Sequence, residues 1–309
     1  MDKIIIYGAG QMGKRGYDFL KFSGLEKKVY GFTDKKYQEM ESIDGKKIYS
    51  YHDAISFNLP FYILIGDERE REKIKRKLLD DGMICYGEED MWRLFDDRVQ
   101  YNRCFVAYDH IDGYEDYFEI IEEQSALDIF WEKDKSKFYE LFQRLDLDNV
   151  IELACGRGRH VPQYLDQAGK ITLVDILQKN IDYCMKRFRN YNNIFYYCND
   201  GYNLEKLSTG EYSALFCYDS MVHFEMMDIY EYLKDIYRVL KSGGRALLHH
   251  SNHDKDYKIE YSHSPGGRNF MNKKIFAYLS NRVGFEVEEQ IVIDWVEKDL
   301  DCITLLRKS

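Results

Sequence analysis

The sequence is short of the residues that build linkers, membrane spans and oxidised scaffolds. Only three of its 309 residues are proline. No serine- or glycine-rich tract occurs, so no long flexible linker is expected. No apolar run approaches the roughly 18 residues that argue for a transmembrane helix, so no membrane span is expected either. The opening Met1-Asp2-Lys3 leads straight into a short apolar stretch, too short and wrongly flanked for a secretory signal. The seven cysteines, Cys85, Cys104, Cys155, Cys184, Cys198, Cys217 and Cys302, are scattered and never spaced as CxxC. That pattern suits a reduced, cytoplasmic protein using cysteine as a small apolar filler. Positive charge is in deficit, with 44 Lys and Arg against 54 Asp and Glu, a net charge of −10. Such a balance argues against a large nucleic-acid surface. The basic residues between Arg69 and Lys77 interleave with Glu68, Glu70 and Glu72, as on a solvated helix face.

What is present is an ordinary globular composition long enough for two domains, 45% hydrophobic and 32% charged. The pattern predicts two Rossmann-like α/β domains built on parallel sheets, over residues 1–100 and 101–309. In the first, strands at 3–7, 28–32 and 61–65 alternate with helices at 14–22 and 68–79, which makes a right-handed βαβ unit. Residues 91–111 have weak periodicity and mark the boundary, and two helices are expected within 114–145. A second series then places strands at 149–153, 171–174, 194–197, 213–218 and 245–250. A helix near 273–283 and strands at 286–293 and 302–306 close the chain.

The most informative segment is Val150-Ile-Glu-Leu-Ala-Cys-Gly-Arg-Gly-Arg159. A strand runs into a Gly-x-Gly turn and then a helix with Pro162 in its first turn. Gly156 and Gly158 remove side chains where a ligand must approach the backbone. A dinucleotide favours a third glycine beside its pyrophosphate, but that position is Val161. Glu152 sits near the strand end, facing the crevice. An acidic, phosphate-free turn suits a positively charged amino acid joined to a nucleoside. Asp175 ends the next strand, where a carboxylate can accept from two ribose hydroxyls. Asp200, followed by Gly201, ends the third and can accept from an exocyclic amine such as that of adenine.

At these residues the sequence resembles the class I S-adenosylmethionine-dependent methyltransferases. Glu152-Leu-Ala-Cys-Gly-Arg-Gly158 is similar to their first motif, and Val239-Leu-Lys-Ser-Gly-Gly-Arg-Ala-Leu-Leu248 to their glycine turn and fifth strand. The resemblance covers about 110–309. It implies a seven-stranded sheet with a reversed final strand, and S-adenosylmethionine as cofactor. It also implies that Glu152 meets the methionine amino group, that Asp175 and Asp200 make the ribose and adenine contacts, and that backbone at Ala154, Gly156 and Tyr218 lines the cofactor.

Tyr218-Asp-Ser-Met-Val-His-Phe-Glu225 follows the fourth strand, beside the expected methyl group. The donor is already activated by its sulfonium charge, so the protein must align the acceptor and remove its proton. His223 is the candidate base, because a neutral imidazole accepts a hydroxyl proton near neutral pH. Its rivals are His249, His250 and Asp219, the last a poor base unless burial raises its pKa. His249, His250, His253 and His263 cluster after the fifth strand, but alternation sends His249 and His250 to opposite faces and no metal-ligand spacing appears. No metal is expected. His249 and His250 read instead as substrate-facing, together with Arg268 and Asn269 in the loop 261–272.

Gly8-x-Gly10-x-x-Gly13 fits the dinucleotide fingerprint, with Asp34 ending the second strand. Together with Gly31-Phe-Thr-Asp34 and Ile43-Asp-Gly-Lys-Lys-Ile48, it resembles the small Rossmann-like domain of bacterial sugar-acetyltransferase and surface-polysaccharide enzymes. That resemblance implies a nucleotide or nucleotide-sugar at Gly8, Gly10, Gly13 and Asp34. The combined expectation is O-methylation of a sugar, nucleotide-sugar or related small metabolite, in polysaccharide biosynthesis or secondary metabolism, with a homodimer left open. N-methylation of a small amine, a non-catalytic nucleotide-binding scaffold and an NAD-dependent oxidoreductase remain as alternatives.

Overall fold

The computed structural model describes residues 3–112, 120–258 and 261–309. It divides into two compact units, Met1–Tyr108 and Asp109–Ser309. Among the described residues, no helix is long and apolar enough to cross a membrane.

The first unit is a six-stranded sheet in the order β3-β4-β2-β1-β5-β6. Its strands are β1 (Ile4–Tyr7), β2 (Val29–Thr33), β3 (Ser42–Ile43), β4 (Lys46–Tyr49), β5 (Phe61–Ile63) and β6 (Cys85–Tyr86). All neighbours are parallel except β3 and β4. The Ile-Ile-Ile-Tyr run of β1 is buried along its whole length, as expected of a strand covered on both faces. Helix Gln11–Phe22 begins three residues earlier than its periodicity suggests. Helix Glu68–Asp80 starts where the Asp67 carboxylate accepts the Glu70 N–H at 3.0 Å. The weakly patterned stretch after Met91 is in fact ordered, with helix Arg98–Asp112 following a 3₁₀ segment Glu88–Leu94. Tyr101, Phe105 and Tyr108, spaced at i, i+4 and i+7, close around the Phe19 ring at 5.8, 5.9 and 5.5 Å. An aliphatic pattern does not count that aromatic stripe.

The glycine turn after β1 packs tightly. Gly8 lies at φ +118°, and a Cβ on Gly13 would stand 1.9 Å from the Gly8 carbonyl oxygen. Asp34, expected at a nucleotide site, is engaged by backbone of its own unit. One carboxylate oxygen takes the Ala9 N–H at 2.8 Å and the other the Lys36 N–H at 2.9 Å, so the side chain clamps its own turn.

The second unit holds a seven-stranded sheet in the order β12-β13-β11-β10-β7-β8-β9. The strands are β7 (Asn149–Leu153), β8 (Lys170–Asp175), β9 (Ile194–Cys198), β10 (Tyr212–Cys217), β11 (Leu240–Ser251), β12 (Phe285–Ile293) and β13 (Asp301–Lys308). Strands β7 to β11 run parallel, while β13 is antiparallel to both β11 and β12. This is the Rossmann-like methyltransferase sheet with a reversed final strand. Alternation along the strands feeds two cores. Val150, Phe216 and Leu247 join an aromatic cluster with Phe138, Phe142 and Tyr164. Ile151, Leu215 and Leu248 meet the apolar face of helices Met226–Val239 and Lys273–Val283. The helix after the second glycine turn is brief, Val161–Tyr164, with Pro162 in its first turn. Of the two helices expected within 114–145, Gln124–Trp131 and Lys137–Phe142 are present. Residues 114–119 lie outside the described residues.

Gly13→Ala should destabilise the first unit by roughly 3 kcal/mol or more, because the new methyl meets rigid backbone. Hydrogen exchange at the Ile4–Tyr7 amides checks this, and unchanged protection would refute it.

Candidate active site

The turn after β7 holds three consecutive left-handed positions two residues apart: Ala154 at φ +57°, Gly156 at +55° and Gly158 at +73°. Ala154 bears a Cβ there, a strain of about 1–3 kcal/mol that persists only where the surroundings enforce it. A Cβ on Gly158 would stand 2.6 Å from the Phe188 ring, so glycine is required at this position. The Gly156 N–H donates to Asp175 Oδ2 at 2.8 Å. Asp175 Oδ1 accepts from the Leu177 N–H at 2.9 Å and from Asn180 Nδ2 at 3.1 Å. A carboxylate accepts at about four sites, and three are occupied. Asp175, expected to grip two ribose hydroxyls, therefore has one acceptor position left. Burial raises its pKa, and these three donors oppose the rise. Asp200 is exposed after β9, and Gly201 takes φ +83°.

Glu152 differs. It projects from β7 on the face of Val150, is buried, and accepts from the Tyr164 hydroxyl through Oε2 at 2.6 Å. Its Oε1 has no partner among the described residues. Burial pushes its pKa up to about 8, against the hydrogen bond from Tyr164 and the charge of Arg159. An orphaned, buried carboxylate oxygen beside a glycine turn fits the cationic amino group of S-adenosylmethionine.

At the ends of β10 and β11 the structure reassigns several residues. Tyr218 is buried, with its ring 4.1 Å from that of Phe138 and 4.5 Å from that of His249. Asp219 adopts φ +55°. Its N–H donates to His249 Nδ1 at 3.0 Å, and its carboxylate accepts from Arg159 at 2.9 Å. Because Nδ1 accepts, His249 carries its proton on Nε2 and donates it to Asp301 Oδ2 at 3.1 Å. Arg268 meets the same carboxylate through Nε at 2.9 Å and Nη2 at 2.6 Å. Burial alone would raise the Asp301 pKa, but His249 and Arg268 together hold it at about 2. His250, on the opposite face, stacks on Phe276 at 3.7 Å. It donates to the Ser251 carbonyl and accepts from Thr304, both at 2.8 Å, while burial drives its pKa down to about 3. His249, His250 and Arg268, expected to face a substrate, are thus buried and committed to internal partners. No local pattern marks Asp301, which gathers two of them, because it lies 52 residues from His249 and 33 from Arg268.

His223 ends a 3₁₀ turn, Met221–His223. Its Nδ1 lies 2.8 Å from the Gly267 carbonyl. A carbonyl only accepts, so Nδ1 bears the proton and Nε2 keeps its lone pair. Burial, the His110 ring 5.5 Å away and Arg268 lower the His223 pKa to about 4. The ring is therefore neutral throughout the neutral range. Asn269 is tied alongside, its N–H donating to the Val222 carbonyl at 2.9 Å. Both polar atoms of its side chain are buried without a partner among the described residues.

Residues 150–244 match the family model described as "Methyltransferase domain". The second unit carries a methyltransferase domain. It is the catalytic part of an enzyme. Residues 1–86 match the model described as "C2185-like, N-terminal". Among solved structures, an S-adenosylmethionine-dependent methyltransferase of Aquifex aeolicus is similar at TM-score 0.47 and 11% identity, over 62% of this chain and 97% of that one. A Mesorhizobium loti methyltransferase of the same description gives 0.46 and 11%, over 56% and 97%. A Pyrococcus horikoshii OT3 protein gives 0.45 and 20%, over 68% and 99%.

Removing Asp301 leaves the Arg268 guanidinium buried without its counter-ion. Asp301→Ala should therefore cost about 3–5 kcal/mol in denaturant unfolding. A loss under about 1 kcal/mol would show that the network does not hold the methyltransferase domain together.

Proposed function

We propose that the chain is an O-methyltransferase acting on a hydroxyl of a sugar, nucleotide-sugar or related small metabolite, with His223 as general base. The carrying observation is the fixed His223 tautomer, with Nδ1 held by the Gly267 carbonyl and Nε2 left as an acceptor. Bound in the crevice, S-adenosylmethionine supplies an electrophilic methyl carbon on a sulfonium. His223 Nε2 would take the proton of the acceptor hydroxyl as that oxygen is methylated. Glu152 Oε1 would hold the methionine ammonium, Asp175 would offer its remaining site to one ribose hydroxyl, and exposed Asp200 would accept from the adenine amine. Backbone at Ala154, Gly156, Gly158, Gly201 and Tyr218 would border the cofactor.

The sugar-like acceptor rests on the resemblance of the first unit. A nucleotide-sugar is assigned there to the turn Gly8–Gly13, where a Cβ on Gly10 would meet nothing within 4 Å and Asp34 retains acceptor capacity.

His223→Ala should lower turnover about 10²–10⁴-fold while leaving cofactor affinity near wild type. Because the folded ring titrates at about 4, the His223 contribution to wild-type turnover should be flat from pH 6 to 8. A variant with near-normal turnover in the chemistry-limited regime would remove His223 from the mechanism.

Glu152 gives a second test. With its pKa at about 8, the free protein carries a proton on Glu152 at pH 7, and an ammonium beside it favours the ionised form. Cofactor binding at pH 7 should release close to one proton, measured by calorimetry in buffers of different ionisation enthalpy. Glu152→Gln should abolish that release and weaken binding roughly 100-fold. Proton release that persists in the variant would assign the ammonium elsewhere.

A further inference from the structure

Six buried side-chain polar atoms have no hydrogen-bond partner among the described residues, and four of them belong to two residues, His253 and Asn269. Both His253 ring nitrogens and both Asn269 amide atoms are unpaired. His253 is only 4% exposed. Folded proteins rarely leave buried polar atoms unmatched, because each forfeits its hydrogen bonds to water. Two such side chains on adjoining stretches of backbone point to a partner that arrives from outside.

The two residues are neighbours although 16 positions apart. Ser251, at the end of β11, donates its hydroxyl to the Asn269 carbonyl at 2.9 Å and accepts the His253 N–H at 3.1 Å. One side chain thus spans both backbones, and Met271 adds a second tie through the His253 carbonyl at 3.0 Å. The same segment reaches the candidate base. The Gly267 carbonyl holds His223, and the Asn269 N–H holds Val222. Asn269 is therefore registered beside the residue preceding His223.

We propose that His253 and Asn269 form the acceptor subsite and bind a hydroxyl adjacent to the one that is methylated. The inference rests on the O-methyltransferase reading above and names the chemistry that site selects. An imidazole presents one donor and one acceptor, and an amide presents donors and an acceptor. Only a partner that both donates and accepts matches both side chains. A hydroxyl does so. A phosphate or carboxylate accepts only, and would leave Asn269 Oδ1 and the imidazole lone pair unmatched. An ammonium donates only. Arg268, the adjacent cation, is turned onto Asp301 and offers no charge to an anionic acceptor. The class of ligand is a neutral compound with vicinal hydroxyls.

The test uses the full chain, methyl hexopyranosides and their singly deoxygenated derivatives, with methylation read by mass. Asn269→Leu and His253→Phe should each raise KM at least about tenfold for the methylated hexoside, with kcat and cofactor affinity unchanged. Toward the derivative lacking the neighbouring hydroxyl, both variants should match the wild type. Their melting temperatures should hold or rise, because apolar side chains replace unmatched polar atoms. His253→Gln, which keeps a donor and an acceptor, should stay within about threefold of wild type. That variant also serves as the folded control should either apolar variant fail to fold.

A lower melting temperature with unchanged KM in both apolar variants would assign these atoms to structural water and overturn the subsite. Equal KM losses for the hexoside and its deoxy derivative would overturn the hydroxyl assignment. Methylation of a hexoside with unaltered KM in every variant sinks the subsite alone. Failure to methylate any hydroxyl compound sinks the O-methyltransferase reading and the subsite with it.

Discussion

The carboxylate of Asp301 is the constraint on which the catalytic face depends. It is fully buried and accepts from His249 and Arg268 together. Through His249 it fixes the ring proton on Nε2, which leaves Nδ1 to accept the N–H of the left-handed Asp219. Through Arg268, whose Nη1 also donates to the Gly266 carbonyl at 2.7 Å, it sets the loop whose next carbonyl orients His223. A buried charge is tolerated when each lone pair has a donor, and the same economy makes removal of any member costly. One carboxylate thus couples the final strand to both the strand-end backbone and the base.

The acids at the strand ends divide by whether their hydrogen bonds are complete. Asp175 and Glu152 sit at the ends of neighbouring parallel strands and both are buried. Asp175 is held by two donors from its own turn and one from the turn after β7. Glu152 has one donor and an orphaned oxygen, and its carboxyl is correspondingly raised. Incompleteness, rather than position alone, separates a group available to a ligand from one that maintains the turn.

The two units solve the same local problem in the same way. In the first, Asp34 accepts an N–H from the glycine turn after β1 at 2.8 Å. In the second, Asp175 accepts one from the turn after β7, also at 2.8 Å. A glycine turn leaves N–H groups pointing out of its loop, and the acid ending the neighbouring strand is the nearest acceptor. An acid at that position therefore serves the fold before it serves a ligand, which is why Asp34 and Asp175 are less open than their spacing implies.

The sequence by itself determined what depends on short separations. The strand, glycine turn and acid of each βαβ unit, the helix Lys273–Val283 and the two late strands follow from hydrophobic period and glycine placement, which act over a few residues, while the reversal of the final strand is implied by the family resemblance. The aromatic stripe Tyr101, Phe105 and Tyr108 escaped that logic because its partner Phe19 lies some 80 residues away in the chain. Only the tertiary structure decided which polar side chains remain unmatched. His249 and His250 differ from His253 not in residue type or neighbourhood but in what β13 brings to them. Its antiparallel register sets Asp301 opposite Ser251 and carries Thr304 to His250, while nothing in that register reaches the His253 ring. Hydrogen-bond completion across strands is set by register between distant segments, and a pattern read along one chain does not contain it.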